Sequence, residues 1–340
     1  MSSAGTEWRP SASPEMLRRR AALLARTREF FAARGVLEVD TPIIVNAPVS
    51  DLHIHSATVQ LAPAANAAPQ LFLHTSPEYA MKRLLAAGSG DIYQICHVAR
   101  AFEQGRQHNP EFTLVEWYRI GFSLEELMNE VEALLRALLA ESAARWDSER
   151  LSYREAFRRE LGLDPLAATR AQLVAAAQRA GYHAPPPADA GPERAPGAAP
   201  DDRDELLELL MGSSVGPRLG STGFTFVYGY PASQAALARL DPADPRLALR
   251  FELYCAGLEL ANGFDELASS SEQRARFDSD NDLRRRRGLP VAPPDERLLA
   301  ALAAGLPDCA GVALGFDRVL MLAAGARHID EVLAFPTARA

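Results

Sequence analysis

The sequence predicts an α+β protein: a mixed, mostly antiparallel sheet flanked by helices. Three observations lead there. Short apolar segments of strand length cluster together instead of alternating regularly with helices, which argues against a doubly wound fold. Hydrophobic residues make up 48% of the 340 positions and charged residues 24%, the balance of a globular enzyme with ample core. No apolar run is long enough to span a bilayer, because residues 131–140, the most apolar stretch, are interrupted by Glu132 and Arg136.

A first helix is expected over 13–34. Ser13 suits its N-cap, Pro14 the first helical position and Gly35 the left-handed exit, with Leu17, Ala21, Leu24 and Phe31 on the inward face. A short strand over 36–39 runs into Pro42. Further strands are expected at 71–74, 92–98, 113–118, 224–228, 250–255 and 258–261. A second long helix follows Ser123, where Ser123 and Glu126 form a capping box ahead of Leu127, Val131, Leu134 and Leu138. The segment 183–200, dense in proline and alanine, can neither build a helix nor bury a core, so it reads as a surface insertion at about 183–201.

Composition narrows the function class. The N-terminus, MSSAGTEWRPSAS, lacks the basic start and apolar stretch of a signal peptide. Three scattered cysteines argue against a disulfide framework, so a reducing, cytoplasmic location is expected. A net charge of −8 lowers the expectation of nonspecific nucleic-acid binding, which depends on basic surfaces.

Four segments place charge inside apolar, strand-like surroundings. In His74-Thr75-Ser76-Pro77-Glu78-Tyr79, a hydroxyl and a carboxylate at a strand end can receive an ammonium group. The same residues also suit a plain helix start, and both readings can hold. From Arg100 through Phe112, a loop carrying Glu103, His108 and Asn109 suits a triphosphate and a purine, with Phe112 as a stacking face; the alternative is a solvated hairpin tip. Glu116 and Tyr118, two apart, share one face of the returning strand. In Gly257-Leu258-Glu259-Leu260-Ala261-Asn262-Gly263-Phe264-Asp265-Glu266, Glu259 sits in an apolar strand and needs a cation. Glu259 and Glu266 together suit Mg²⁺, the alternative being two salt-bridged structural carboxylates. From Gly311 through Gly315 to Arg318, small residues and a helix start favour close approach to anionic oxygens. His53 and His55 lack a third metal ligand, and Cys96 reads as a buried structural thiol.

Taken in order, these segments resemble the motifs of class II aminoacyl-tRNA synthetases, in particular the catalytic domain of lysyl-tRNA synthetase. PSAS, GVLEVDTP, TSPEY with MKRLL, GRQHNPEFTLVEWYR, PASQAAL, ELANGFDEL and LPDCAGVALGFDR carry the resemblance, which runs from Trp8 to the C-terminus. It is strongest to the branch of that family whose members join (R)-β-lysine to elongation factor P. The resemblance implies a class II catalytic fold as a single domain over 1–340. It also implies no anticodon-binding domain, since about a dozen residues precede the first helix. The implied partners are ATP with Mg²⁺, β-lysine or lysine, elongation factor P and a second copy of the chain, with no tRNA and no membrane.

By position, Ser76, Pro77, Glu78, Glu116, Tyr118 and Glu266 would hold the amino acid. Arg100, Glu103, His108, Asn109, Phe112, Glu259, Leu260, Gly315 and Arg318 would hold the nucleotide, with Arg100, Arg318 and Glu259 serving catalysis and Glu259 and Glu266 the metal. The implied reaction forms an aminoacyl adenylate, whose carbonyl is then attacked by a protein lysine. Two departures stand out. The family's Phe-Arg-x-Glu is here Ala99-Arg100-Ala101-Phe102-Glu103, and Ala313 replaces the middle glycine of the last motif, which is expected to disfavour α-lysine relative to β-lysine. The rival readings are another synthetase-core ligase or a truncated lysyl-tRNA synthetase, and a non-catalytic amino-acid sensor.

Overall fold

The computed structural model describes residues 8–61, 70–139, 143, 146–182 and 203–340. The Pro/Ala-rich segment expected at 183–201 lies outside them. The chain divides into two compact units, one of Met1–Ala144 with Asp265–Ala340 and the other of Arg145–Phe264.

The first unit opens with α1 (Pro14–Ala32), where the Ser13 hydroxyl accepts the N–H of Met16. Its buried stripe runs through Leu23, Thr27, Phe30 and Phe31, while Leu17 and Ala21 are exposed. The expected inward face is therefore rotated. Two polar side chains lie on the real one: Arg20 reaches Asp317 and Thr113, and Thr27 donates to the Leu23 carbonyl at 2.9 Å. Polar residues with private partners break an apolar pattern without breaking the burial.

After α1 come β1 (Leu37–Glu38), β2 (Ile44–Val45), β3 (Thr58–Val59), β4 (Leu71–Leu73), α2 (Glu78–Ala86), β5 (Ile92–Ala99), β6 (Glu111–Ile120) and α3 (Leu124–Leu139). The Ser123–Glu126 capping box forms at the start of α3. β2, β4 and β3 make a small antiparallel sheet.

The other unit contains β7 (Asp147–Ser152), α4 (Tyr153–Leu161), α5 (Arg170–Arg179), α6 (Arg203–Leu210), β8 (Gly223–Pro231), β9 (Leu247–Cys255) and β10 (Leu258–Asp265). Its strands run in the order β10-β9-β8-β7. Only the β7–β8 pair is parallel. Capping boxes at Ser152–Glu155 and Thr169–Gln172 start α4 and α5. Tyr153, Phe157, Leu173, Leu206 and Leu210 build a core against this sheet. β7, DSERLS, was not foreseen: it is held by backbone pairing to β8 and carries no apolar alternation.

The chain then returns through α7 (Ser270–Arg286), α8 (Glu296–Gly305), β11 (Cys309–Gly315) and α9 (Phe316–Ala324). In the first unit the strand order is β1-β5-β6-β11, with β1 parallel to β5 and the other pairs antiparallel. The architecture is thus α+β with mostly antiparallel pairing.

Register sorts the side chains of the β5-β6-β11 sheet. Tyr93 and Trp117 face α1, where Phe31 stacks on Tyr93 with centroids 4.3 Å apart and meets Trp117 edge-on at 5.2 Å. Trp117 Nε1 also donates to Glu130 of α3 at 3.1 Å. The opposite face carries Ile92-Tyr118-Gly311, Gln94-Glu116-Ala313 and Cys96-Leu114-Gly315 as successive cross-strand rows. The three β11 members are all small, and at Gly311 the Tyr118 ring and Glu266 come close against the backbone.

One buried charge ties the first helix to the strands. Asp317, in the first turn of α9, accepts from Arg20 of α1 at 2.5 Å and from the backbone N–H of Thr113 on β6 at 2.7 Å. Removing it strands a half-buried guanidinium and a buried N–H. Asp317→Ala is expected to cost roughly 3–5 kcal/mol of stability, the range for a broken buried pair. Urea unfolding measures it, and a loss below about 1 kcal/mol would show the network to be dispensable.

Candidate active site

β4 ends and α2 begins over the open face of the sheet, and this junction supplies the first group of side chains. The Ser76 hydroxyl accepts the N–H of Glu78 at 3.0 Å, so it does help start the helix. It also donates to Glu116 Oε2 at 2.6 Å. Tyr118 donates to the other oxygen, Glu116 Oε1, at 2.7 Å. With both protons committed to Glu116, the two hydroxyls turn only lone pairs outward. That arrangement receives an ammonium and repels an acceptor. Pro77 is the N-cap residue of α2 and its carbonyl is used by Ala80 and Met81.

Three carboxylates meet here. Glu78 lies one helical turn before Lys82, whose Nζ stands 2.7 Å from Glu78 Oε1 and 2.6 Å from Glu266 Oε2. Glu266, immediately after β10, is placed by its backbone N–H, which donates to Cys309 of β11. Lys82 and Glu266 are each 1% exposed and Glu116 2%. Burial alone would push the Lys82 ammonium down, but Glu266 and Glu78 overcome it and hold the group above its usual value. Burial, followed by the charge of Glu78, pushes Glu116 up to about 7 against the opposing hydrogen bonds from Ser76 and Tyr118. Glu266 is also raised, by burial first, with Lys82 opposing.

Gly311 is required by space. A Cβ there would meet the Tyr118 ring and Glu266 Oε1. Ala313 lies directly opposite Glu116 in register, so its methyl shares the acidic face.

The second group sits at the other end of the same strands. Arg100 follows β5, and its Nε donates to the Thr75 carbonyl at 3.3 Å, one residue before Ser76. The guanidinium lies 5.1 Å from the centroid of the Phe112 ring and 3.8 Å from Glu103. Arg318, in the first turn of α9, donates through Nη2 to His108 Nε2 at 2.8 Å. Burial, then Arg318, lowers the His108 pKa, with Arg100 adding to the effect, so the imidazole is a neutral acceptor facing two guanidinium groups. Gly315 opens α9 without a side-chain cap, which leaves the first N–H groups for an anion.

Other expected residues are not among these contacts. Asn109 is spent on the backbone: its Nδ2 donates to the Glu111 carbonyl at 2.6 Å and its Oδ1 accepts from Thr337 at 3.1 Å. Glu259 and Leu260 lie on β10 in the other unit, Leu260 buried and Glu259 half-buried. Burial, then Glu116, pushes the Cys96 thiol up to about 12, which removes it as a nucleophile. Among the described residues no group of three or more His, Cys, Asp and Glu could hold a metal ion, and no helix is long and apolar enough to cross a membrane.

Sequence reasoning gave no role to Lys82, although MKRLL was in view. The signal was its spacing of four from Glu78 on one helix. Asp317 and Arg20 were missed because they pair across 297 positions of sequence.

The raised Glu116 gives a signed pH dependence. A carboxyl whose folded pKa lies above its usual 4.5 weakens folding as it ionises, so its contribution to stability is lost as pH climbs through about 7. A bound ammonium offsets that loss. The rise in Tm given by a diamino acid should therefore grow between pH 6 and pH 8, and a flat profile would remove Glu116 from amine recognition.

The family model for class II tRNA synthetases (D, K and N) matches residues 6–339. The chain is 50% identical over 332 residues to a Vibrio vulnificus protein named elongation factor P–(R)-beta-lysine ligase, which covers 97% of this chain and 98% of that one. Proteins of the same name from Vibrio cholerae, 50% identical over 337 residues, and Klebsiella pneumoniae, 48% identical over 334, cover 98% of this chain and 99% and 98% of their own lengths. On these matches, this chain belongs to the class II tRNA synthetases of the D, K and N group.

Proposed function

We propose that this chain is an AMP-forming ligase that activates (R)-β-lysine as its adenylate and transfers it to a lysine ε-amino group of elongation factor P. One observation carries the reading: a net acidic group of side chains and the Arg100 guanidinium are joined through the Thr75 carbonyl, which Arg100 touches. A zwitterion with extra amine charge is oriented by that field, its ammonium groups toward Glu78, Glu116 and Glu266 and its carboxylate toward Arg100. The names of the relatives supply the acceptor protein.

Arg100 and Arg318 would neutralise charge developing on the α- and γ-phosphates of ATP, and Phe112 would stack on adenine. A Mg²⁺ ion arriving with the triphosphate would supply further charge neutralisation. Glu266, committed to Lys82, serves the amine instead. The acyl group passes from adenylate to amine directly, so no protein nucleophile is needed. Leu17 on α1 and Leu37 on the edge strand β1 are exposed apolar groups, which supports the homodimer that the family's first motif implies.

The test is mass spectrometry of elongation factor P incubated with the chain, ATP and each lysine isomer. The wild type should add one lysyl mass and release AMP. Arg100→Ala and Arg318→Ala should each lower the rate of amino-acid-dependent pyrophosphate exchange at least about 100-fold, the scale for one lost charge-stabilising group. Exchange at the wild-type rate in either variant would overturn their roles.

Ala313 gives a second readout. One methyl in a close-fitting pocket is worth about 10- to 200-fold in discrimination. Ala313→Gly is expected to shift the kcat/KM ratio of β-lysine to α-lysine toward α-lysine by at least about tenfold. An unchanged ratio would place the selectivity elsewhere.

A further inference from the structure

The amino-acid pocket contains a cation of its own. Lys82 carries the same four-carbon stem and ammonium as the side chain of lysine, and it already occupies Glu78 Oε1 and Glu266 Oε2. An incoming ammonium has to share those two oxygens with Lys82. It does not share the second oxygen of each carboxylate, nor the Ser76 and Tyr118 hydroxyls held by Glu116.

The charge count follows from the same contacts. Fully ionised, Glu78, Glu116 and Glu266 carry three negative charges against the one positive charge of Lys82, which leaves two. Glu116 and Glu266 are held toward their neutral forms in the free site, and an entering ammonium draws them into the ionised state. A sealed compartment favours occupants that cancel its charge, because an uncompensated buried ion is costly. Two is the number of ammonium groups on a diamino acid whose carboxylate points away, toward Arg100. A monoamino acid leaves one carboxylate unpaired, and a third ammonium would be pressed against Lys82.

We propose that Lys82 is a specificity-determining positioning residue, an internal ammonium that orients Glu78 and Glu266 and sets the pocket to accept an amino acid with two ammonium groups. This rests on the reading of the site as one that activates a lysine-like amino acid. Lys82 acts through the carboxylates it holds and touches neither the reacting carboxyl nor ATP.

Pyrophosphate exchange driven by a diamino acid (lysine or β-lysine) and by a monoamino acid of equal length (norleucine) tests this, with KM for ATP measured alongside. If the wild type activates no diamino acid, the functional reading itself fails. Where it does, Lys82→Met is expected to raise the diamino-acid KM at least tenfold. It should also cut the kcat/KM preference over norleucine at least tenfold, with the ATP KM changed less than twofold. Lys82→Gln, which keeps a donor for the carboxylates but no charge, should do the same and decides the matter if the Met variant does not fold. Lys82→Arg, which keeps the charge, should retain the preference even where its bulk lowers kcat. The proposal is overturned if the neutral variants keep the preference, if Arg loses it as fully as Met, or if the KM values for ATP and amino acid rise together.

Discussion

The constraint on which the amino-acid end of the molecule depends is the burial of three carboxylates on one face of a sheet. Glu116 and Glu266 are all but sealed from water, and Glu78 stands beside them. Left uncompensated, each would cost several kcal/mol. The structure answers with a lysine between two of them and a hydroxyl on each oxygen of the third. Even so, Glu116 is pushed up to about 7. The compensation is incomplete in the free protein, and an incoming ammonium completes it.

Holding that arrangement open requires the surrounding strands to give up volume. β11 places Gly311 and Ala313 in the rows of Tyr118 and Glu116, and Gly315 one row further. A larger residue at 311 would occupy the space used by Tyr118 and Glu266. The opposite face is packed by Phe31, Tyr93 and Trp117, which holds the strands in place beneath the acidic side chains. The Asp317 network then carries the first turn of α9, and with it Arg318, on the same framework.

Much of this was legible in the sequence. The longer apolar strands were readable as runs between turn residues, and α1 and α3 because Ser13 and Ser123 cap them, whereas the similarly long α7 was not read. The site segments were readable because charge inside such runs is costly enough to demand a reason. What stayed hidden shares a physical cause. The inward face of α1 contains Arg20 and Thr27, β7 has no apolar alternation, and Lys82 looks like an ordinary helical lysine. Arg20 and Lys82 are drawn inward by partners distant in sequence, Asp317 and Glu266, Thr27 by a carbonyl of its own helix, and β7 is held by β8. Periodicity reports the average solvent of a position and is blind to a specific partner.

The two poles of the site also explain why the chemistry needs no nucleophile from the protein. Activation of a carboxylate by a triphosphate is limited by repulsion between anions, and on the proposed reading Arg100 and Arg318 would address that repulsion. His108 is held neutral between them, so it accepts a hydrogen bond from Arg318 and adds no third charge. At the acidic pole the demand is opposite: charge must be negative and sealed. A single pocket could not meet both demands. Here different side chains serve the two poles, and Arg100 is fixed to the Thr75 carbonyl, one residue from the hydroxyl that starts the acidic pole. An amino acid lying between the poles is positioned by its own charges, and that orientation is the largest contribution a rigid site makes to a reaction whose covalent steps belong to the substrates.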